Sequence, residues 1–273
     1  MTIEELIIYG KKYLSSDKVN MLLGYILNYN NLELHIHLNE VIQESLVEKY
    51  KEMIEKIKNN IPIQYVLGNV NFYGNEFIVN ENVLIPRFET EELVENTIKY
   101  INNLFDKETV NIIDLGSGSG NIGITLKKKL IATKVTCVDI SEDALEAAKE
   151  NANRLETDIT FKISDMLDNI EGKFDVIISN PPYIDREEEI EDIVKNNEPH
   201  LALFADNKGL YFYEKILSTC KKNLEDKFLI AFEIGMTQKD AITELANKYL
   251  KNIKVDCKKD LSGKDRMIFI YNI

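Results

Sequence analysis

Four consecutive residues, Asn180, Pro181, Pro182 and Tyr183, follow the apolar run "FDVII" (174–178) and Ser179. Neither proline can donate a backbone N–H, so neither fits a central strand or a helix interior. The run therefore ends in a stiff turn that carries an amide side chain and an aromatic ring. Asn and Pro also begin ordinary turns, and "NPPY" by itself permits that reading. A second cluster lies upstream: in "NIIDLGSGSGNIGITLKKKL" (111–130), Gly116, Ser117, Gly118, Ser119 and Gly120 join a strand to a helix. Glycines let the backbone turn sharply and approach a ligand with no Cβ in the way. Counted from Gly116, the third glycine falls one place early for the G-x-G-x-x-G dinucleotide fingerprint. No G-K-[ST] follows, so a P-loop is excluded. Acids recur at the ends of the next two strands, Asp139 in "VTCVDIS" and Asp165 in "KISDML", where Met166 follows. An acid at the tip of the second strand suits ribose hydroxyls, and one at the tip of the third is placed to meet an adenine amino group. Asp139 also reads as a helix N-terminal acid, with Ser141 as the cap. Together the loop and the acids favour a ligand that contains adenosine and no pyrophosphate.

These residues need elements that deliver them to one edge. Apolar strand candidates are "VNIIDL" (110–115), "KVTCVD" (134–139), "DITFKI" (158–163), "FDVIIS" (174–179), "FLIAFEI" (228–234), "IKVDCK" (253–258) and "RMIFIYN" (266–272). They alternate with helical segments, which predicts an α/β fold with a parallel sheet covered by helices. The last two candidates are joined only by "KDLSGKD", too short for a parallel crossover, so they form an antiparallel pair. The expected architecture is a seven-stranded, mostly parallel sheet ending in an antiparallel hairpin. Ligands of such sheets bind outside the carboxyl ends of the strands, which is where the loops above converge.

Three segments divide the chain. Residues 1–60 show helical periodicity, with Ile3, Leu6, Ile7 and Leu14 on one face and Val41, Leu46, Tyr50 and Ile54 on another. This predicts a small N-terminal helical bundle. Residues 61–89 hold short β-rich pieces, Gln64–Leu67, Asn71–Tyr73 and Glu76–Val79, and read as a hairpin-like linker. Residues 90–273 open with a helix whose Thr90, Glu91 and Glu92 look like an ordinary N-terminus.

Composition narrows the function. With 273 residues, 44% of them hydrophobic, the chain affords a sizeable core, and wholesale disorder is not expected. No stretch approaches the roughly 20 apolar residues that span a bilayer. The opening "MTIEELIIYGKKYL" carries acids early and no small-residue cleavage site, so no secretory signal is expected. Cys137, Cys220 and Cys257 are scattered without metal-ligand spacing and read as reduced thiols in a cytosolic protein. "HIH" (35–37) has no third ligand nearby, so no metal is expected. A formal charge of −13 is the opposite of a basic phosphate-gripping footprint. It favours a protein or small-molecule substrate, with no stable nucleic-acid binding. "DREEEIEDIVKNNE" (185–198) reads as a solvated acidic helix, and Glu233 as a satisfied strand-end acid.

"DLGSGSG", Asp139 and "NPPY" together resemble the class I methyltransferases that use S-adenosyl-L-methionine and release S-adenosyl-L-homocysteine. The resemblance implies a Rossmann-like sheet, with the glycine loop against the amino-acid part of the cofactor and Asp139 on its ribose. It also implies that the Asn-Pro-Pro-aromatic motif holds a planar nitrogen for methylation. Such a nitrogen is a poor nucleophile because its lone pair is delocalised. Hydrogen bonds from its N–H groups to the Asn180 side-chain oxygen and the Pro181 carbonyl favour a pyramidal, electron-rich nitrogen, in line with the methyl group. Two prolines pre-aim those acceptors, and Tyr183 offers a flat wall.

"PIQYVLG" (62–68), "IPRFETE" (85–91), "EPHLAL" (198–203), "NKGL" (207–210), "FEIG" (232–235) and "DLSGKDR" (260–266) surround that motif in order. As an ordered set they resemble the PrmC/HemK family, which methylates the glutamine of the Gly-Gly-Gln motif in class I peptide-chain release factors. The resemblance spans the whole chain and implies that residues 1–60 hold the release factor while 90–273 are catalytic. It assigns the cofactor to Gly116, Ser117, Gly118, Ser119, Gly120, Asp139, Asp165, Met166 and Asn180. It assigns catalysis and the substrate glutamine to Asn180, Pro181, Pro182 and Tyr183, with Arg87, Glu89 and Thr90 in the crevice wall. A cytoplasmic monomer is the expectation. Three positions depart from the family pattern: Phe88, Asn197, and Met166 where some members carry a large aromatic. Two alternatives remain: an amino-methyltransferase for an adenine or guanine of DNA or RNA, and a non-catalytic S-adenosylmethionine-binding module. A base methyltransferase must extrude its base or act on a single strand, and it needs basic surface to do so.

Overall fold

The computed structural model describes residues 1–106 and 109–272; the last residue of the 90–273 segment lies outside them. In chain order the helices are α1 (Ile3–Gly10), α2 (Ser16–Leu27), α3 (Asn31–Ile36), α4 (Glu44–Lys58), α5 (Ile63–Leu67), α6 (Phe88–Leu104), α7 (Asn121–Lys129), α8 (Glu142–Arg154), α9 (Asp192–Asn197), α10 (His200–Leu203), α11 (Tyr211–Thr219) and α12 (Lys239–Tyr249). The strands are β1 (Asn69–Phe72), β2 (Asn75–Ile78), β3 (Val110–Leu115), β4 (Thr133–Asp139), β5 (Ile159–Ile163), β6 (Phe174–Ser179), β7 (Ile184–Asp185), β8 (Phe204–Ala205), β9 (Leu224–Glu233), β10 (Lys254–Lys259) and β11 (Asp265–Tyr271). The chain divides into two compact units, Met1–Asn69 with Glu191–Asn197, and Val70–Ile190 with Glu198–Ile273. No helix among the described residues is long and apolar enough to cross a membrane.

The first unit is helical. Thr2 caps α1 by accepting from Glu5 N while Glu5 reaches back to Thr2 N, a reciprocal pair that satisfies two end donors. Ile3, Leu6, Val19, Leu22, Leu23, Leu34, Tyr50 and Ile54 share one core. Val41, expected on the buried face of the second helical pattern, is 74% exposed. It precedes α4, and Val47, Met53 and Ile57 take the buried positions instead. Gln64–Leu67, expected as a strand, lies in helix α5. Ile63 and Leu67, four apart, are both buried, and Gly68 ends the turn at φ +76°. Of the expected acidic helix 185–198, only α9 is helical. Asp185 Oδ1 instead accepts from Glu187 N at 3.0 Å, an Asx turn ahead of three consecutive glutamates.

The second unit carries a seven-stranded sheet in the order β10-β11-β9-β6-β3-β4-β5. β3 pairs in parallel with both β4 and β6, β4 with β5, and β6 with β9. β11 is antiparallel to β9 and β10 to β11, so the sheet ends in the expected hairpin. Every residue of β6 is buried, as a central strand covered on both faces requires. One core holds Ile113, Leu115, Ile177 and Ile230, the other Ile112, Val176, Ile178 and Leu229, so alternate residues of each strand face opposite layers.

Candidate active site

From β3 the chain runs through β4 to β5, then returns to β6 on the other side of β3. That reversal is the topological switch point, where open α/β sheets leave a crevice. Leu115 and Ser179 are register partners at the carboxyl ends of β3 and β6. Ser179 Oγ donates to Leu115 O at 2.6 Å. The glycine loop and the NPPY turn therefore leave the sheet side by side.

Gly116 N and Ser117 N both donate to Val138 O, at 2.8 and 2.9 Å, which folds the loop back over the end of β4. Gly116 and Gly118 have φ of +68° and +52°, and nothing lies within 4 Å of where a Cβ on Gly118 would sit. Glycine is needed there for conformation, and the loop face is open. Counted from Gly118 rather than Gly116, the loop does have the spacing G-x-G-x-x-G, ending at Gly123. A Cβ on Gly123 would lie 2.5 Å from Cys137 Sγ, so this glycine allows α7 to seat against β4. Asp139 Oδ2 accepts from Gly118 N at 2.8 Å and its Oδ1 from Ser141 N at 2.9 Å. Burial raises the Asp139 pKa, and these N–H groups oppose the rise. Each carboxylate oxygen keeps a lone pair for a hydroxyl. Ser141 Oγ caps α8 through Ala144 N.

Asn180 is held from the far side. Its Nδ2 donates to Thr90 Oγ1 at 3.2 Å, and Thr90 Oγ1 donates to Glu233 Oε2 at 2.6 Å. The expected helix N-terminus is there, with Thr90 inside the first turn of α6, which begins at Phe88 after the N-cap Arg87. Tyr183 OH donates to Glu233 Oε1 at 3.4 Å and receives Arg266 Nη1 at the same distance. Burial pushes the Glu233 carboxyl up to about 7, against Thr90 and Arg266, which favour the charged form. Burial also raises the Tyr183 phenol.

A cleft of about 420 Å³ opens at this switch point. Of the residues expected in the site, Gly116, Gly118, Asp139, Asp165, Met166, Asn180 and Pro182 line it. Ser117, Ser119, Gly120, Pro181, Tyr183, Arg87 and Glu89 do not. Ser117 and Ser119 are buried, and Ser119 Oγ donates to Asn121 Oδ1 at 3.2 Å. Gly120 supports α7 at φ +77°, where a Cβ would meet Ile124 at 2.8 Å. Arg87 pairs with the buried Glu198 at 2.5 Å. Glu198 also accepts from Ile85 N at 3.1 Å, so it pins residues 85–87. Asp165 meets Lys215 Nζ at 2.7 Å. Met166 is buried with φ +54°.

Sequence reasoning missed the rest of the lining, chiefly residues 81–84, Ile140, Leu201, Ala202, Tyr211 and Phe212. Ile140 carried a signal as the residue directly after Asp139, and Leu201 and Ala202 as members of the "EPHLAL" segment. Of the departures from the family pattern, Phe88 is 60% exposed, and Asn197 Nδ2 donates to Asn60 O and Ile193 O, both at 2.8 Å. Among the described residues no three His, Cys, Asp or Glu side chains are placed to hold a metal ion. A carboxylate with free lone pairs, an open glycine loop and apolar walls fit a nucleoside better than a metal or a phosphate.

Two family models match the chain, one described as PrmC N-terminal domain over residues 10–68 and one as Methyltransferase small domain over residues 87–202. The crystal structure of a methyltransferase from Pyrococcus furiosus shares the fold, with a TM-score of 0.55 and 19% identity over 82% of this chain and 100% of that one. The chain is 38% identical to the release factor glutamine methyltransferase of Bacillus cereus, over 91% of this chain and 90% of the relative. It is 36% identical to the protein of the same name in Bacillus subtilis, over 98% and 96%. With identity sustained along nearly the full length of both, the chain belongs to the release factor glutamine methyltransferase family.

Proposed function

We propose that this chain transfers a methyl group from S-adenosylmethionine to the side-chain amide nitrogen of the glutamine in the Gly-Gly-Gln motif of a class I release factor. The observation that carries the reading is Asn180, which lines the cleft: one Nδ2 hydrogen is spent on Thr90, so the amide turns its Oδ1 away from Thr90 with its lone pairs free to accept. A primary amide nitrogen needs such an acceptor, because a hydrogen bond from its N–H returns electron density to nitrogen. The Pro181 carbonyl serves as the second acceptor in this reading, and the prolines keep both pre-aimed. S-adenosylmethionine would supply the electrophilic methyl and leave as S-adenosylhomocysteine, and the methylated nitrogen would give up one proton to water.

The residues proposed to hold the cofactor by direct contact are Gly116, Gly118, Asp139, Asp165, Met166 and Asn180. Ser117, Ser119 and Gly120 act by shaping the loop. Asp139 takes the ribose hydroxyls, and Asp165 the adenine amino group. Tyr183, Arg87 and Glu89 lie outside the cleft lining, so they act by shaping the motif and the 85–89 segment. The helical first unit is proposed to hold the release factor, and its exposed Ile8, Leu32 and Ile36 are suited to contact with a protein. A cytoplasmic, monomeric enzyme that forms no stable complex with nucleic acid completes the proposal, consistent with the charge of −13.

The test is a mass shift. The chain is incubated with S-adenosylmethionine and unmodified release factor from the same cell, and peptides are mapped. One added methyl on the Gly-Gly-Gln glutamine is expected. An unmodified glutamine beside a methylated nucleic acid in a parallel reaction would overturn the reading. Asn180→Ala is expected to lose transfer by roughly a hundredfold or more while still binding cofactor.

A further inference from the structure

We propose that the Glu233 carboxylate, acting through the hydroxyl of Thr90, fixes which end of the Asn180 amide faces the cleft. This rests on the reading that Asn180 Oδ1 accepts from the substrate amide. An amide side chain has a donor end and an acceptor end of nearly equal size. Only the direction of its hydrogen bonds distinguishes them. Ionised Glu233 can only accept. The single hydroxyl proton of Thr90 is therefore committed to Glu233, at 2.6 Å, and Thr90 Oγ1 can offer Asn180 only a lone pair. Asn180 must answer with Nδ2, as it does at 3.2 Å, which turns Oδ1 away from Thr90. Rotating the amide by half a turn would set Oδ1 against the Thr90 lone pair.

The same logic runs along a second arm. Arg266 Nη1 donates to Tyr183 OH, so the phenol's own proton is committed to Glu233 Oε1, both at 3.4 Å. Arg266 is itself held by Asp260 Oδ2 at 3.3 Å and Ile234 O at 3.2 Å. Tyr213 OH donates to the backbone oxygen of Glu233 at 2.8 Å and steadies the end of β9. The last side chain of the NPPY motif thus donates to the buried carboxylate directly, and the first reaches it through Thr90. Glu233 and Thr90 are positioning residues: neither lines the cleft.

The polarity holds only while Glu233 is ionised. A neutral carboxyl can donate to Thr90, and Thr90 can then donate to Asn180 Oδ1, which removes the acceptor from the substrate. The groups facing Glu233 are Thr90 and Glu89 from α6, Tyr183 from the motif, Tyr213 from α11 and Arg266 from β11, with Asp260 behind the arginine. Burial outweighs the attraction of Arg266, the Glu89 charge adds to it, and the carboxyl rises to about 7. Methyl transfer should therefore fall on the acid side with a midpoint in that region.

The experiment measures kcat and KM against pH for the full chain with its release factor, alongside cofactor binding. Thr90→Val is expected to lower kcat by roughly tenfold to a hundredfold through misalignment, with cofactor affinity unchanged. Thr90→Ser restores the hydroxyl and the rate. Glu233→Gln is expected to lower kcat and to remove the acid limb between about pH 6 and 8. If Asn180→Ala turned over at the parental rate, the underlying reading of the site would be wrong. If Asn180→Ala were inactive while Thr90→Val kept the parental rate and acid limb, this inference alone would be overturned. An acid limb unaltered in Glu233→Gln would overturn it equally. Should that variant fail to fold, the Thr90→Val and Thr90→Ser pair decides.

Discussion

Asp114, near the end of β3, is fully buried, with Oδ2 accepting from Gly123 N at 2.9 Å and Oδ1 without a partner. Burial raises its pKa to about 7, opposed by the Gly123 bond and reinforced by the Asp139 charge. The folded chain therefore holds this proton more tightly than the unfolded chain. The sign follows: folding loses stability as pH rises from the ordinary carboxylate value towards 7, and the loss is constant above that. Asp114→Asn removes the titration. Urea melts across pH should show the variant gaining on the parent between about pH 4 and 7, with a flat difference above. An equal difference at both ends of that range would contradict the burial argument. At this scale Asp139 and Asn180 were legible in the sequence, because a strand-end acid and a double proline announce themselves locally. Thr90 was not. Its place beside Glu91 and Glu92 marks a helix start, and its hydrogen-bond partner lies 143 residues away.

At the scale of elements, the seating of α7 on β4 is the tight joint beneath the glycine loop. A Cβ on Gly123 would lie 2.5 Å from Cys137 Sγ and 3.2 Å from Val135 Cγ1. Gly123→Ala gains about 1 kcal/mol of helix propensity, yet overpacking of this kind costs about 1–3 kcal/mol. Net destabilisation is expected, with Cys137→Ala in the same chain recovering part of it. Denaturant midpoints of the two singles and the double give the coupling, and strict additivity would show that the two side chains do not collide. The seven sheet strands were legible because unbroken apolar runs of strand length have few other uses. Residues 64–67 misled because α5, at five residues, is too short to show a period. The helix there depends on its buried face and the Gly68 terminus. α3 was missed for the same brevity, at six residues.

For the molecule as a whole, the mostly parallel sheet and its terminal hairpin were readable, because strand–helix alternation and one short final connection allow few topologies, whereas the strand order was not. What alternation cannot say is which distant residues meet. Arg87 reaches Glu198 across 111 residues, and Asn180 reaches Thr90 across 90. Those separations also set an order in time. Closing long loops is entropically slow compared with forming local helices. On dilution from denaturant, far-ultraviolet ellipticity should recover before methyl transfer does, with activity following the slowest phase. Coincident recovery of both in a single phase would contradict this. A newly made chain would then pass through a stage at which its helices are formed and it is chemically silent. The carboxylate that orients the amide reaches its place only after β9, late in the chain, has joined the sheet.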